Sequence, residues 1–401
     1  MIGIGAALRA RGNAVALAAN GHFAPAVRAA GLEFIEHGTE DEYRRVMDDP
    51  ALWHRTNGFK TVFQQAILPV MPRTYEIVRA HAGSGRVAVV AAGVALGARV
   101  AQERLGVPMA TVQLQPAPLR SVHENAVLPG LFMPRGMPRA IKRFLYWVGD
   151  VAVVDRVIAP GLNAFRAQVG LAAPVRRVLW EWWHSPRLAI GLFPAWYAPV
   201  QPDWPAQLTL TGFPLWDEAQ TLGADEAVEE FLAEPGGPPI VFTPGSAMRH
   251  GERFFAESAQ ACRLLGRRGM LLTRFAEQIP RDLPSGVRHF AYVPFSRVLP
   301  RSAALVHHGG IGTAAQGLAA GVPHLVMPLS HDQPDNAARL RRLGVGDAVR
   351  PGRYRAARVA AKLRALLGSA EVAAACRDVA GRVAAGHGME QTCALVEGLV
   401  G

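Results

Sequence analysis

The sequence predicts an α/β protein built of two doubly wound, parallel-sheet domains. Its 401 residues exceed what one core comfortably holds and suit two domains of roughly 200 residues each. Two successive sets of short apolar runs alternate with amphipathic segments, the rhythm of parallel strands joined by helical crossovers. Between the sets lies TGFPLWDEAQTLGADEAVEEFLAEPGG (211–237), whose Pro, Gly and acidic residues suit a connection between domains. The expected division is an N-terminal domain over 1–211, a linker over 212–236 and a C-terminal domain over 237–385. A final helix over 386–401 falls outside the alternation and is expected to cross back to the first domain.

In the first set, AVALAAN (14–20), VAVVAA (87–92) and PMATVQL (108–114) are predicted strands, while 59–82 and 94–106 carry apolar residues at helical spacing. Residues 115–138 hold Pro116, Pro118, Pro129, Gly130, Pro134, Gly136 and Pro138 and are predicted to form a long loop. Such loops at the carboxyl ends of parallel strands are where these folds bind substrates. The second set runs through PPIVFTPGS (238–246), GMLLT (269–273), AALVHHGG (303–310) and HLVMPL (324–329). A doubly wound domain opens with a strand and a glycine turn before its first helix, whereas IGIGAALRARG after Met1 already reads as that helix. The first strand of the N-terminal domain is thus expected to be absent from these residues.

Half of the residues are apolar and 19% are charged, the balance of a globular enzyme and not of a disordered or fibrous chain. No run approaches the roughly 18 apolar residues of a membrane-spanning helix. The opening segment is too short and too interrupted by Arg9 and Arg11 for a signal peptide. Cys262, Cys376 and Cys393 stand far apart and outside metal-ligand spacing, so they read as small buried residues in a reducing cytoplasm. The formal charge of +11 invites a polyanion. The basic residues are scattered, however, with no aromatic stacking platform and no Arg-rich run, which argues against nucleic acid. A nucleotide diphosphate and an anionic membrane surface remain as suitable partners, for a protein in the cytoplasm or peripheral to the inner face of the membrane.

The chemistry is concentrated in AALVHHGGIGTAAQGLAAGVPHLVMPLSHDQPDNAARL (303–340). An apolar strand runs into His307, His308, Gly309, Gly310, Ile311, Gly312 and Thr313, and a helix follows. Glycines let the backbone turn sharply and approach a ligand, and the free N–H groups of a helix start, aided by the helix dipole, face an anion. Thr313 can cap that helix or bond a phosphate oxygen. An imidazole beside the turn can donate a hydrogen bond or carry charge toward a diphosphate leaving group. Taken alone, the segment has a plainer reading, in which the glycines only make the turn and the histidines fill the core. A second constellation weighs against it: Ser330-His331-Asp332-Gln333 follows the neighbouring strand and reaches the same rim. A carboxylate beside an amide is what discrimination of sugar hydroxyls requires, although Asp332 taken on its own is also plausible as a simple helix cap.

The pattern HHGGIGT…AGVP…P…DQ…N resembles the donor-binding signature of family 1 glycosyltransferases, the inverting group that includes plant secondary-metabolite, sterol and macrolide enzymes. The resemblance implies the GT-B fold, two Rossmann-like domains facing a cleft. It implies that His308 and the backbone of Gly310, Gly312 and Thr313 hold the donor phosphates, joined by Ser246 of FTPGSA. Tyr292 and Val293 would lie at the nucleobase, and Asp332 and Gln333 at the donor sugar. The plant pattern has Trp and Asn where this chain has Ile311 and Gly312, so the likeness is to the bacterial branch. The family's general base stands on the turn that precedes the first helix. The resemblance therefore expects it upstream of Met1 and assigns no catalytic residue within the chain.

Outside the site, DEYRRVMDDPALW (41–53), EWWHSPRLAIGLFPAWYAPVQPDWPAQLTLTGFPLWD (181–217) and PSGVRHFAYVP (284–294) resemble the rhamnosyltransferase B chains of rhamnolipid synthesis. That implies deoxythymidine-diphosphate rhamnose (dTDP-rhamnose) as donor, a hydroxylated acyl lipid as acceptor and a place in glycolipid biosynthesis. Trp180, Trp182, Trp183, Phe193, Trp196, Tyr197 and Trp204, with Phe132, Met133 and Met137 near the long loop, suit a pocket for acyl tails or, equally, a core. His123 and His184 beside them read as structural histidines. The alternative enzyme is a UDP- or dTDP-glucose-dependent transferase acting on a sterol, macrolide or other natural product. A nucleotide-sugar epimerase is a rival on the same fold, and a non-catalytic GT-B-like partner protein is the rival from another class. No Asp-x-Asp pair or clustered His/Asp set calls for a metal, and no cofactor beyond the nucleotide-sugar co-substrate is expected.

Overall fold

The computed structural model describes every residue of the chain except 55, 56, 84, 221, 224, 247 and 401. The chain divides into two compact units, one of Met1–Pro214 with His387–Gly401 and one of Leu215–Gly386. Both are α/β with parallel strands, as the alternating apolar runs predict.

In the first unit, β1 (Ala16–Asn20) pairs in parallel with β2 (Glu33–Gly38) as a sheet of its own. A second parallel sheet orders β3 (Val89–Ala92), β4 (Met109–Gln113), β5 (Leu188–Gly191) and β6 (Leu208–Leu210) side by side. Every residue of β4 is buried, because helices cover both faces of this sheet. Met109 joins Tyr75, Val100, Ile158 and Leu162 on one face. Ala110 and Val112 turn to the other, against Ile4 and Leu8 of the helix Ile2–Ala10 and Cys393 of the helix Gly388–Glu397. β1 lacks such cover, and its Ala16 and Ala18 are exposed.

The final helix is seated on the exit of β6. Thr211 and Thr392 share a hydrogen bond between their hydroxyls at 2.8 Å, and a Cβ added at Gly388 would lie 2.8 Å from the Gly212 carbonyl carbon. The long loop 115–138 is present between β4 and the helix Arg139–Gly149. It is pinned where the Val122 N–H donates to Asp203 and Asn125 donates to the Met133 carbonyl.

The second unit holds one sheet of six parallel strands: β7 (Ile240–Thr243), β8 (Gly269–Leu272), β9 (Val287–Phe290), β10 (Ala304–His307), β11 (His324–Val326) and β12 (Gly346–Ala348). Their order across the sheet is β12-β11-β10-β7-β8-β9. Phe242, Leu271 and Val306 face one helical layer with Phe255 and Leu363, while Val241, Met270 and Leu305 face the other with Phe231 and Val298. Residues 212–236, expected as linker, hold more structure than a connection. Asp225 caps a helix Glu226–Ala233 there, and its Val228 and Phe231 are buried in the core of this unit.

Candidate active site

The sheet of the second unit brings three loops to one rim. β10 lies between β7 and β11 in parallel register, with His307 opposite both Thr243 and Val326, so the carboxyl ends of these strands stand side by side. Between β7 and β10 the chain reverses its progress across the sheet. A doubly wound sheet opens its ligand crevice at such a switch point.

The central loop begins at β10. Gly309 has φ +100°, a left-handed conformation, and a Cβ added there would lie 2.9 Å from Val326 and 3.1 Å from the Gln333 carbonyl. Gly310 is the extended N-cap residue of the helix Ile311–Ala320 and supplies no side-chain cap. Around Gly312 an added Cβ would meet no described residue within 4 Å, and Thr313 is half-buried in the same turn. Among the described residues the first turn has no side-chain cap, and it stands at the positive end of the helix dipole, an arrangement that suits a phosphate.

His308 is gripped by two glycines. A Cβ on Gly245 would lie 2.8 Å from its Cε1 and a Cβ on Gly310 2.5 Å from its Nε2. Its Nδ1 is buried with no hydrogen-bond partner among the described residues. Burial pushes the imidazole down to about 4, so the ring is neutral near pH 7. A neutral imidazole of this kind can still donate a hydrogen bond.

His307, one residue earlier, points to the opposite face of β10 and is fully buried. The Gly309 N–H donates to its Nδ1 at 3.2 Å, and its Nε2 lies 3.1 Å from Nδ1 of His324. A ring that accepts at Nδ1 carries its proton on Nε2, so His307 donates to His324. His324 then holds its own proton on Nε2, an atom that is buried with no partner among the described residues. Burial keeps His307 well below the usual imidazole range and pushes His324 down to about 3, so both are neutral. This pair secures the Gly309 turn from beneath, and sequence reading missed it.

The third loop leaves β11 and enters the helix Gln333–Arg342. Asp332 makes no side-chain cap to that helix, so the simple cap reading does not hold. Its Oδ2 instead accepts from Asn336 Nδ2 at 2.7 Å, and the same amide donates to the Gly309 carbonyl at 2.9 Å. Burial raises the Asp332 carboxyl to about 6. Gln333 turns its Oε1 onto its own loop, accepting from the N–H groups of Leu329 at 2.7 Å and Ser330 at 3.2 Å.

Ser246 lies exposed in the loop after β7, next to the Gly245 that touches His308. Buried Gln278 pins this loop, accepting from the Gly251 N–H and donating to the Met248 carbonyl. Tyr292 and Val293 follow β9 at the edge of the sheet. The Arg274 guanidinium covers the Tyr292 ring at 4.9 Å, so a base stacking on Tyr292 has the other face. The Val293 side chain belongs to the core with Leu272 and Phe290, which leaves only its backbone for a base.

In the first unit, Trp182, Trp183, Phe193, Tyr197 and Trp204 are buried, with Trp182 donating to Glu103 and Trp204 to the Leu119 carbonyl. For these five the core reading holds. His184 is likewise structural, 3.1 Å from Gln113 and pushed down to about 4 by burial. Among the described residues no group of three or more His, Cys, Asp or Glu is placed to hold a metal ion, and no helix is long and apolar enough to cross a membrane.

Two parallel α/β units, the second ending its central strands in an uncapped helix start, are the architecture of the GT-B class, to which many glycosyltransferases belong. A spinosyn rhamnosyltransferase, solved in complex with thymidine diphosphate, matches 100% of this chain and 96% of its own with a TM-score of 0.69. At 20% identity that likeness establishes the fold. Residues 271–392 match the C-terminal domain model described as erythromycin biosynthesis protein CIII-like. An uncharacterized glycosyltransferase of Mycobacterium tuberculosis (strain H37Rv) is 30% identical over 95% of this chain and 90% of its own length. The chain belongs to the family 1 glycosyltransferases. The O-mycaminosyltylonolide 6-deoxyallosyltransferase of Streptomyces fradiae is 35% identical over 245 residues, 59% of this chain. The chain spans about half, 55%, of the length of that relative.

Proposed function

We propose that the protein transfers a deoxyhexose, with inversion, from a thymidine-diphosphate sugar to a hydroxyl of an apolar acceptor. The observation that carries this reading is the join of the neutral His308 ring, gripped by Gly245 and Gly310, to the uncapped helix start at Gly310–Thr313. The departing diphosphate gains negative charge, which N–H donors of this kind would stabilise. Asp332 and the Gln333 amide, on the adjoining loop, suit the hydroxyls of the sugar. The N–H donors meet the leaving-group charge without a metal, so transfer should persist in a chelator.

The names of the relatives support the donor class. One is a deoxyallosyltransferase, and a structural neighbour is a rhamnosyltransferase complexed with thymidine diphosphate. Within that class our reading is rhamnose onto a hydroxyacyl lipid. A second reading, a macrolide or other natural product as acceptor, is favoured by the tylonolide-directed relative. Calorimetry with thymidine diphosphate and uridine diphosphate comes first, and failure of both to bind would overturn the donor site. Transfer from dTDP-rhamnose and dTDP-glucose to a hydroxyacyl dimer and to a macrolide aglycone, followed by mass spectrometry, then separates the acceptors. Donor converted to another nucleotide sugar without acceptor would instead identify an epimerase.

A further inference from the structure

The helix Arg139–Gly149 and its continuation through Val154 carry a face that no described residue of the first unit covers. Ile141, Phe144, Trp147, Val148 and Val151 lie on one side of it at helical spacing, between 37% and 59% exposed. The Phe144 and Trp147 rings stack at 5.9 Å, in solvent. Phe132, on the loop leading into the helix, is 82% exposed. Isolated exposed apolar residues need no explanation, but an aromatic and aliphatic stripe of this length does.

The charge around the stripe identifies what covers it. Arg135, Arg139, Arg143 and Arg156 are exposed along the same stretch. Its two acids are withdrawn. Asp150 is buried in an ion pair with Arg120, and Asp155 accepts from the backbone N–H groups of Arg177 and Val178. Lys142 is buried too, its ammonium donating to the Arg135 carbonyl. Every exposed charge on this stretch is therefore positive, on a chain whose formal charge is +11. A second copy would bring the same positive rim against it, which argues against self-association through this face.

We propose that this face docks on an anionic lipid bilayer, with Phe144, Trp147 and Ile141 entering the interface and the arginines at the headgroups. A helix with an apolar face of aromatic and aliphatic residues flanked by basic ones lies in the plane of such a surface. The docking is independent of sugar transfer, so it stands or falls apart from the proposed reaction.

Flotation of the full chain with vesicles tests it, without donor or acceptor. Vesicles of phosphatidylcholine with phosphatidylglycerol should carry the protein up, phosphatidylcholine alone should not, and added salt should weaken the association. Arg139→Gln with Arg143→Gln should lower the partition roughly 25-fold, from about fivefold per basic residue at an anionic surface. Phe144→Ser with Trp147→Ser should abolish flotation. These positions are exposed, so both variants should keep the wild-type melting curve. Absence of flotation with the anionic vesicles, or flotation indifferent to both variants, overturns the proposal. A dimer in sedimentation equilibrium that dissociates on Phe144→Ser with Trp147→Ser, without flotation of the wild type, also overturns it and assigns the face to a second copy.

Discussion

Replacing Asn336 by alanine should loosen the candidate site and destabilise the second unit together. The side chain is fully buried, and its amide donates both to the Gly309 carbonyl and to the Asp332 carboxylate. Alanine deletes both bonds and puts no donor in their place. A buried carbonyl left unsatisfied costs roughly 1–3 kcal/mol. Asp332, already raised to about 6 by burial, loses a bond that holds its pKa down and drifts further up, so protonation relieves part of its loss. The sum is about 2–4 kcal/mol, set against the total of roughly 5–15 kcal/mol for a typical domain. Calorimetric melting should be read for the second unit separately, since two units need not unfold as one. Titration with thymidine diphosphate accompanies it. Asn336→Asp is the companion variant; it keeps the size, cannot donate when ionised and sets a second carboxylate against Asp332. Both variants should melt lower and bind the nucleotide more weakly, the aspartate variant more so. An unchanged melting temperature for Asn336→Ala would refute the weight given to these bonds. Lost stability with intact nucleotide affinity would show that the Gly309 turn lies outside the nucleotide site.

His308→Ala should lower kcat/KM by roughly 100- to 1000-fold with little change in melting, and an unaltered kcat/KM would remove the ring from the mechanism. Gly245→Ala should reduce activity and stability together, because φ is +101° and the new Cβ would press on His308; wild-type behaviour in both would refute the grip. Acid should destabilise the fold through the imidazoles. Native His307, His308 and His324 stay neutral while the unfolded chain takes up protons as pH falls through about 6.5, so stability declines below that pH. Each fully buried imidazole adds a slope of up to ~1.4 kcal/mol per pH unit. Asp332 acts in the opposite sense. Its native carboxyl protonates near 6 and its unfolded one near 3.8, so between those values it offsets one imidazole. Asp332→Asn should therefore steepen the acid loss of stability between pH 6 and pH 4 in urea titrations, and an unchanged slope would refute this balance.

How far the sequence could be read depended on the kind of signal. β10 and β11 are legible because buried apolar runs end in Gly or Pro punctuation, and parallel pairing collects their carboxyl ends at one rim. β2 is illegible by the same test: Glu33 and Glu36 interrupt it and much of it is half-exposed. β12 is only Gly346-Asp347-Ala348, without an apolar signature. The helix Glu226–Ala233 hid among Pro, Gly and acidic neighbours, although Val228 and Phe231 keep helical spacing. At the site, the strand period of two foretells that adjacent His307 and His308 face opposite ways. That His307 meets His324 depends on cross-strand register, which sets Leu305 opposite His324. Arg274 on Tyr292 and Gln278 under the Ser246 loop are contacts between distant segments, and no local pattern announces them.

The grip of Gly245 and Gly310 on His308 has a consequence for the temperature dependence of the reaction. An imidazole on an open loop samples several rotamers and loses that freedom each time a substrate must be met. Here the loss is settled once, when the chain folds, so in the proposed reaction the ring would meet the nucleotide already aimed. The two glycines act through the side chains they lack. A change that widened this slot, freeing the ring without removing it, would leave every donor present and lower the rate through the activation entropy.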